Sequence, residues 1–147
     1  MADSDLMQLY SRRILALTTA IPHLGRLPAA EGRAMRRSPH CGSSVSVEVT
    51  MDAGRISGFA QEVRACALGQ ASASVLGQAA IGQDRAQIEG TRAALAAMLK
   101  DAAPPPAAPF ADLEALIPAR DYPNRHASIL LAWDALLEAM DQATAAA

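Results

Sequence analysis

Apolar residues recur at helical spacing near the start of the chain. Leu6, Leu9, Tyr10, Ile14 and Leu17 share one face, and Ser4 or Asp5 can cap it, so residues 4–20 are expected to form a helix. Pro22, Gly25 and Pro28 then interrupt the pattern, and residues 21–40 read as an irregular segment. From 44 to 51 the period changes to two. Val45, Val47, Val49 and Met51 alternate with Ser44, Ser46, Glu48 and Thr50, the signature of a half-buried strand. Asp52-Ala53-Gly54-Arg55 is a turn in which Gly54 can take a positive φ, and residues 55–60 and 61–66 read as two further short strands. Tight turns join antiparallel neighbours, so a small antiparallel three-stranded sheet is expected.

Beyond Ala67 the pattern is helical. Residues 69–80 are mostly Ala and Ser, with Val75 and Leu76 as larger knobs, which suits close approach to a sheet. Gly82-Gln83-Asp84 breaks the run, and Asp84 can cap a helix over 84–100. A Pro/Ala-rich stretch at about 101–109 reads as an extended internal linker. Phe110, Leu113, Leu116 and Ile117 mark a short helical turn, and Ile129, Leu130, Trp133, Leu137 and Met140 give one face of a final helix over about 124–143. The expected class is α+β, with the sheet packed against a set of α-helices in a single domain spanning 1–147.

Composition narrows the choice of function. Hydrophobic residues make up 51% of the 147, enough for a core without disulfide staples. The net charge of −2 and a lone basic cluster at Arg33, Arg36 and Arg37 give no broad positive footprint, so nucleic-acid binding is not expected. That cluster reads as a solvated loop or as a docking surface for an acidic partner. No apolar run reaches the roughly 18 residues a membrane span needs. Ser11-Arg12-Arg13 has the look of an export signal, but Pro22-His23 ends the apolar stretch after it, and a cytoplasmic location is expected.

The candidate chemistry lies in two cysteines and their frames. Cys41 sits in Ser38-Pro39-His40-Cys41-Gly42-Ser43, and Cys66 sits just before a small-residue helix. Two cysteines are too few for a disulfide framework, and without a close Cys-x-x-Cys pair they are not a zinc finger. Taken alone, Cys66 also reads as a small buried hydrophobe. A cysteine preceding a helix has its thiolate favoured by the helix dipole. A cysteine nucleophile would need a positioned base, and no catalytic spacing supplies one, so an enzyme is not expected.

In order and spacing these frames resemble the U-type iron–sulfur cluster scaffolds, the family of IscU, SufU and the NifU N-terminal domain. The run 38–43 is similar to that family's Asn-Pro-x-Cys-Gly-Asp motif. Cys66-Ala67-Leu68-Gly69-Gln70-Ala71-Ser72-Ala73-Ser74 is similar to its Gly-Cys-x-x-x-x-Ala-Ser-x-Ser segment. Tyr122-Pro123-x-Arg125 and Leu131-Ala132-Trp133-Asp134-Ala135-Leu136 resemble the C-terminal end of the SufU branch, and the resemblance spans nearly the whole chain. The family's third cysteine falls on Ser128, its motif aspartate on Ser43, and the glycine before its second cysteine on Ala65.

The resemblance implies a protein that holds iron, zinc, a nascent Fe–S cluster or a persulfide through Cys41 and Cys66. Ser43, Ser128, His40 and His126 are weaker candidate ligands. Its implied partners are a cysteine desulfurase and Fe–S acceptor proteins, and a homo-oligomer is compatible with it. The alternative is a degenerate, non-metal interaction module of the cluster-assembly machinery, motivated by the missing ligands.

Overall fold

The computed structural model of the chain describes residues 10–39 and 42–146. Helix α1 (Arg12–Thr18) leads to strands β1 (Gly32–Arg37), β2 (Ser44–Asp52) and β3 (Arg55–Arg64). Then come helices α2 (Ala67–Ala79) and α3 (Arg85–Lys100), a 3-10 segment (Ala111–Asp121) and the long helix α4 (Pro123–Ala146). The sheet order is β1-β2-β3, antiparallel throughout. The expected α+β class, with three antiparallel strands backed by helices, is what forms.

Three boundaries depart from the sequence pattern. The described first helix starts at Arg12, capped by Ser11, whose hydroxyl accepts the Ile14 N–H at 3.3 Å; residues 4–9, with the expected caps Ser4 and Asp5, lie outside the described residues. The two strands expected at 55–60 and 61–66 are one continuous strand, β3. The third strand is instead β1, inside the stretch read as irregular. Gly32-Arg33-Ala34-Met35-Arg36-Arg37 shows no apolar alternation, because most of this edge strand is exposed and its one buried position is a glycine. A Cβ on Gly32 would run into the backbone of α4 at Ala139 and Ala143, so only glycine lets that helix lie on the strand.

The β2–β3 turn follows its sequence. Ala53 (φ 51°) and Gly54 (φ 79°) are both left-handed, the two-residue turn whose twist matches antiparallel strands. Val45, Val47 and Val49 are buried on the helix side. On the other side Glu48 is nearly buried, and its carboxylate accepts the Leu27 N–H at 2.9 Å. That bond ties the preceding loop to the sheet. Residues 23–25 also bridge the far edge of β3 in parallel at Leu24 and Gln61.

Helix α4 is the centre of the helical layer, packed on β1 and β2 and flanked by α2 and α3. The small residues of α2 therefore meet α4 more than the sheet. Trp133 is fully buried on α4 and meets Phe110 edge to face at 5.1 Å. Asp84 caps α3 reciprocally with Gln87. Pro123 opens α4 at a first-turn position where its missing N–H costs nothing. Among the described residues, no helix is long and apolar enough to cross a membrane.

Candidate functional site

Three distant segments converge at one buried corner. The Ser38 N–H donates to the Ser43 carbonyl at 2.8 Å, and the Gly42 N–H to the Ser38 carbonyl at 3.2 Å. Gly42 (φ 69°) is left-handed, a conformation glycine takes without a Cβ clash. Ser43 is buried in the interior. Cys66 is the N-cap of α2, in extended backbone, and Gln70 braces the turn by donating to the Ala65 carbonyl at 2.8 Å. Ser128 comes from the second turn of α4.

The side chains meet in a chain. Ser43 Oγ lies 3.2 Å from Ser128 Oγ, and Ser128 Oγ lies 3.5 Å from Cys66 Sγ. Both serines are almost wholly buried, and the thiol is half-buried. Gly69 makes the approach of α2 to α4 close enough. A Cβ there would stand 2.7 Å from Ser128 Oγ and 3.1 Å from its carbonyl oxygen. One turn further on, Ser72 donates to the Ile129 carbonyl at 2.7 Å and accepts the Trp133 indole N–H at 3.0 Å, which fixes the two helices in register beside the site.

Electrostatics favour the thiolate. Burial pushes the Cys66 thiol up. The Ser128 hydroxyl, the first-turn N–H groups of Gly69 and Leu68 and the positive charge of Arg125 together outweigh burial and leave the thiol below its ordinary range. The two N–H groups act without closing a hydrogen-bonded cap.

The described part of the site thus holds Cys66, Ser43 and Ser128. Cys41 and His40 lie outside the described residues. His126 does not join the corner. It sits two residues from Ser128, on the opposite side of α4, and its buried Nε2 donates to the Ala119 carbonyl at 2.9 Å. Gly69, Ser72 and Arg125 were not singled out as site residues from the sequence. The signal was present in the spacing: Cys66, Gly69 and Ser72 recur every three residues on α2, and Arg125 precedes Ser128 by three.

Among the described residues no group of three His, Cys, Asp or Glu side chains could hold a metal ion. One thiol and two neutral hydroxyls do not make a tetrahedral zinc set, and hydroxyls are poor donors to a soft metal. What the described corner offers is a thiol with hydrogen-bonding neighbours.

No protein-family model matches the chain. An IscU iron–sulfur cluster assembly scaffold protein from Streptococcus pyogenes serotype M1 is 27% identical over 140 residues, covering 95% of this chain and 87% of that protein. The crystal structure of FiSufU from Fervidobacterium islandicum AW-1 superposes with a TM-score of 0.79 at 21% identity, over 91% of this chain and 98% of that one, and shows the same fold. The crystal structure of a nitrogen-fixing NifU-like protein (N-terminal) from Brucella abortus superposes with a TM-score of 0.93 at 38% identity, over 97% of this chain and 99% of that one. With that identity over nearly the full length of both chains, this chain belongs to the NifU-like N-terminal family of U-type iron–sulfur cluster assembly scaffolds.

Proposed function

We propose that this protein serves iron–sulfur cluster assembly, carrying sulfur or a nascent cluster as cargo on the thiolates of Cys66 and Cys41. The observation that carries the reading is the convergence of Cys66, Ser43 and Ser128, with the sulfur 3.5 Å from one buried hydroxyl and that hydroxyl 3.2 Å from the other. Two peptide units separate Cys41 from Ser43, a reach of at most about 7.6 Å between Cα atoms. The name of the Streptococcus pyogenes relative adds the activity class.

Sulfur transfer is the step best matched to this donor set. The Cys66 thiolate attacks the outer sulfur of a donor persulfide. The donor's S–S bond breaks, its thiolate leaves, and Cys66 becomes the persulfide. A thiol pKa below its ordinary range raises the share of thiolate, and Ser128 Oγ can donate a hydrogen bond to it. The donor is then a cysteine desulfurase, and the receivers are Fe–S acceptor proteins. The protein acts as a carrier rather than an enzyme, in the cytoplasm. Zinc as a resident ion is the poorer fit, because serines stand where a carboxylate and a third thiolate would complete four donors.

A second reading has its own observation. Ser43 and Ser128 bond to one another, so both buried hydroxyls have a partner without any cargo. On this reading the chain is a non-metal interaction module that keeps the scaffold fold. Anaerobic purification with elemental and sulfane-sulfur analysis separates the two. The carrier reading expects iron or sulfane sulfur that disappears in both Cys66→Ser and Cys41→Ser. A protein without iron, zinc or sulfane sulfur that still binds a desulfurase establishes the module. The double change Ser43→Asp with Ser128→Cys is expected to create tight metal binding at the same corner.

A further inference from the structure

Among the described residues no strand pairs with the outer edge of β1, and the helical layer extends beyond it. In the register of β1 with β2, the even-numbered residues of β1 turn their backbone N–H and C=O groups toward β2, as the Ser38 N–H to Ser43 carbonyl bond continues. The odd-numbered residues turn theirs outward. Arg33 spends its N–H on the Gln142 side chain at 3.4 Å. Met35 and Arg37 are exposed, and their outward backbone groups have no partner among the described residues. Beyond this edge lies a groove of about 950 Å³, bounded by β1, the end of α3, the 3-10 segment and the start of α4. Leu99, Leu130 and Leu131 contribute its apolar floor.

The groove's charge is one-sided. Arg36, Arg37, Arg92, Lys100 and Arg120 line it against one acid, Asp134. Arg92 is paired with Asp134, and Arg36 with Glu138 outside the groove. Arg37 and Lys100 have no ion pair among the described residues. An edge strand with unspent backbone groups, a floor to seat side chains and an unbalanced positive rim is a surface for β-strand addition.

We propose that an extended acidic segment of a partner protein pairs with the β1 edge at Met35 and Arg37, as a fourth strand lying in this groove. A second copy of the chain is the weaker occupant. Edge-to-edge pairing of two β1 strands would bring Arg33, Arg36 and Arg37 of both copies together. The proposal needs neither metal nor sulfur at Cys66, so it stands or falls apart from the carrier reading.

The test is fluorescence anisotropy of the full-length chain with a fluorescein-labelled short peptide alternating glutamate and valine, at low ionic strength. The expected result is saturable binding. Two further peptides carry N-methyl groups on one or the other alternate set of amides, and one set should weaken binding about tenfold or more. Met35→Pro removes an N–H that faces away from β2 and should do the same while leaving the thermal melt near that of the parent, since an edge strand accepts proline there. Equal binding by parent and both methylated peptides, equal binding by a lysine–valine peptide, or no binding by about 1 mM would overturn the proposal. So would a dimer in light scattering that Met35→Pro dissolves, since a second copy would then own the edge. Should Met35→Pro fail to fold, the methylated peptides decide alone.

Discussion

The hydroxyl of Ser72 bridges two helices: it accepts the indole N–H of Trp133 at 3.0 Å and donates to the carbonyl of Ile129 at 2.7 Å. Both partners are on α4, beside Ser128. One buried hydroxyl therefore sets the register of α2 against α4, and with it the approach of Cys66 to Ser128.

Ser72→Ala leaves the buried indole N–H without an acceptor. A cost of about 1–3 kcal/mol is expected, read as a lower urea midpoint with little change in slope. Trp133→Phe with Ser72→Ala removes both polar groups, so the pair should couple in a double-mutant cycle. Independent, additive losses would show that the bond is not formed in solution.

Gly69→Ala separates helix propensity from packing. Alanine favours the helix by about 1 kcal/mol over glycine. Its Cβ, however, would stand 2.9 Å from the Ala65 Cβ, 2.7 Å from Ser128 Oγ and 3.1 Å from the Ser128 carbonyl. Truncating Ser128 relieves only one of those contacts. Overpacking of this kind costs about 1–3 kcal/mol, so a net loss of thermal stability is expected. A variant as stable as the parent would mean that α2 and α4 stand further apart.

The Cys66 thiol should alkylate at lower pH than a cysteine in a flexible peptide. Burial pushes the thiol up, but Ser128, the first-turn N–H groups and Arg125 outweigh it. Iodoacetamide rates against pH on metal-free protein carrying Cys41→Ser isolate this thiol. Ser128→Ala should move the midpoint up, and Arg125→Ala should move it up less. Because the folded pKa lies below the unfolded one, the linked stabilisation is present above the unfolded pKa and is lost as pH falls through the folded value. A midpoint unmoved by Ser128→Ala would remove the hydroxyl from the account.

Arg85 bridges α3 to α4 through Asp141, with Nε to Oδ1 at 2.6 Å, and the pair holds the Asp141 carboxyl below its usual range. Both side chains are about half exposed, so water and salt screen the pair. Asp141→Asn should cost no more than about 1 kcal/mol, and less in high salt. With the folded carboxyl depressed, that small stabilisation exists above the unfolded carboxylate pKa and fades as pH falls through the folded value. A loss as large as that of Ser72→Ala would show the bridge to be shielded from solvent.

Much of this architecture could be read along the chain because its causes are local. The period-two run at 44–51, the Asp52–Arg55 turn, the Asp84 cap and the apolar face of the last helix each depend on neighbours a few residues away. The motif frames around Cys66 and Ser128 placed both at the mouths of helices. Strand β1 was not legible, because an exposed arginine-rich edge carries no burial pattern and is held by its pairing with β2. The placement of His126 was also invisible: two residues from Ser128 along the chain is half a turn away around α4, and its Nε2–H donates to the Ala119 carbonyl. Only the folded packing decided that Ser43 Oγ, Ser128 Oγ and Cys66 Sγ share one corner. The Cys66–Ser128 contact, 62 positions apart, comes from how closely two helices can approach, which Gly69 and Ser72 set, and the Ser43–Ser128 contact, 85 apart, from the packing of the last helix on the sheet.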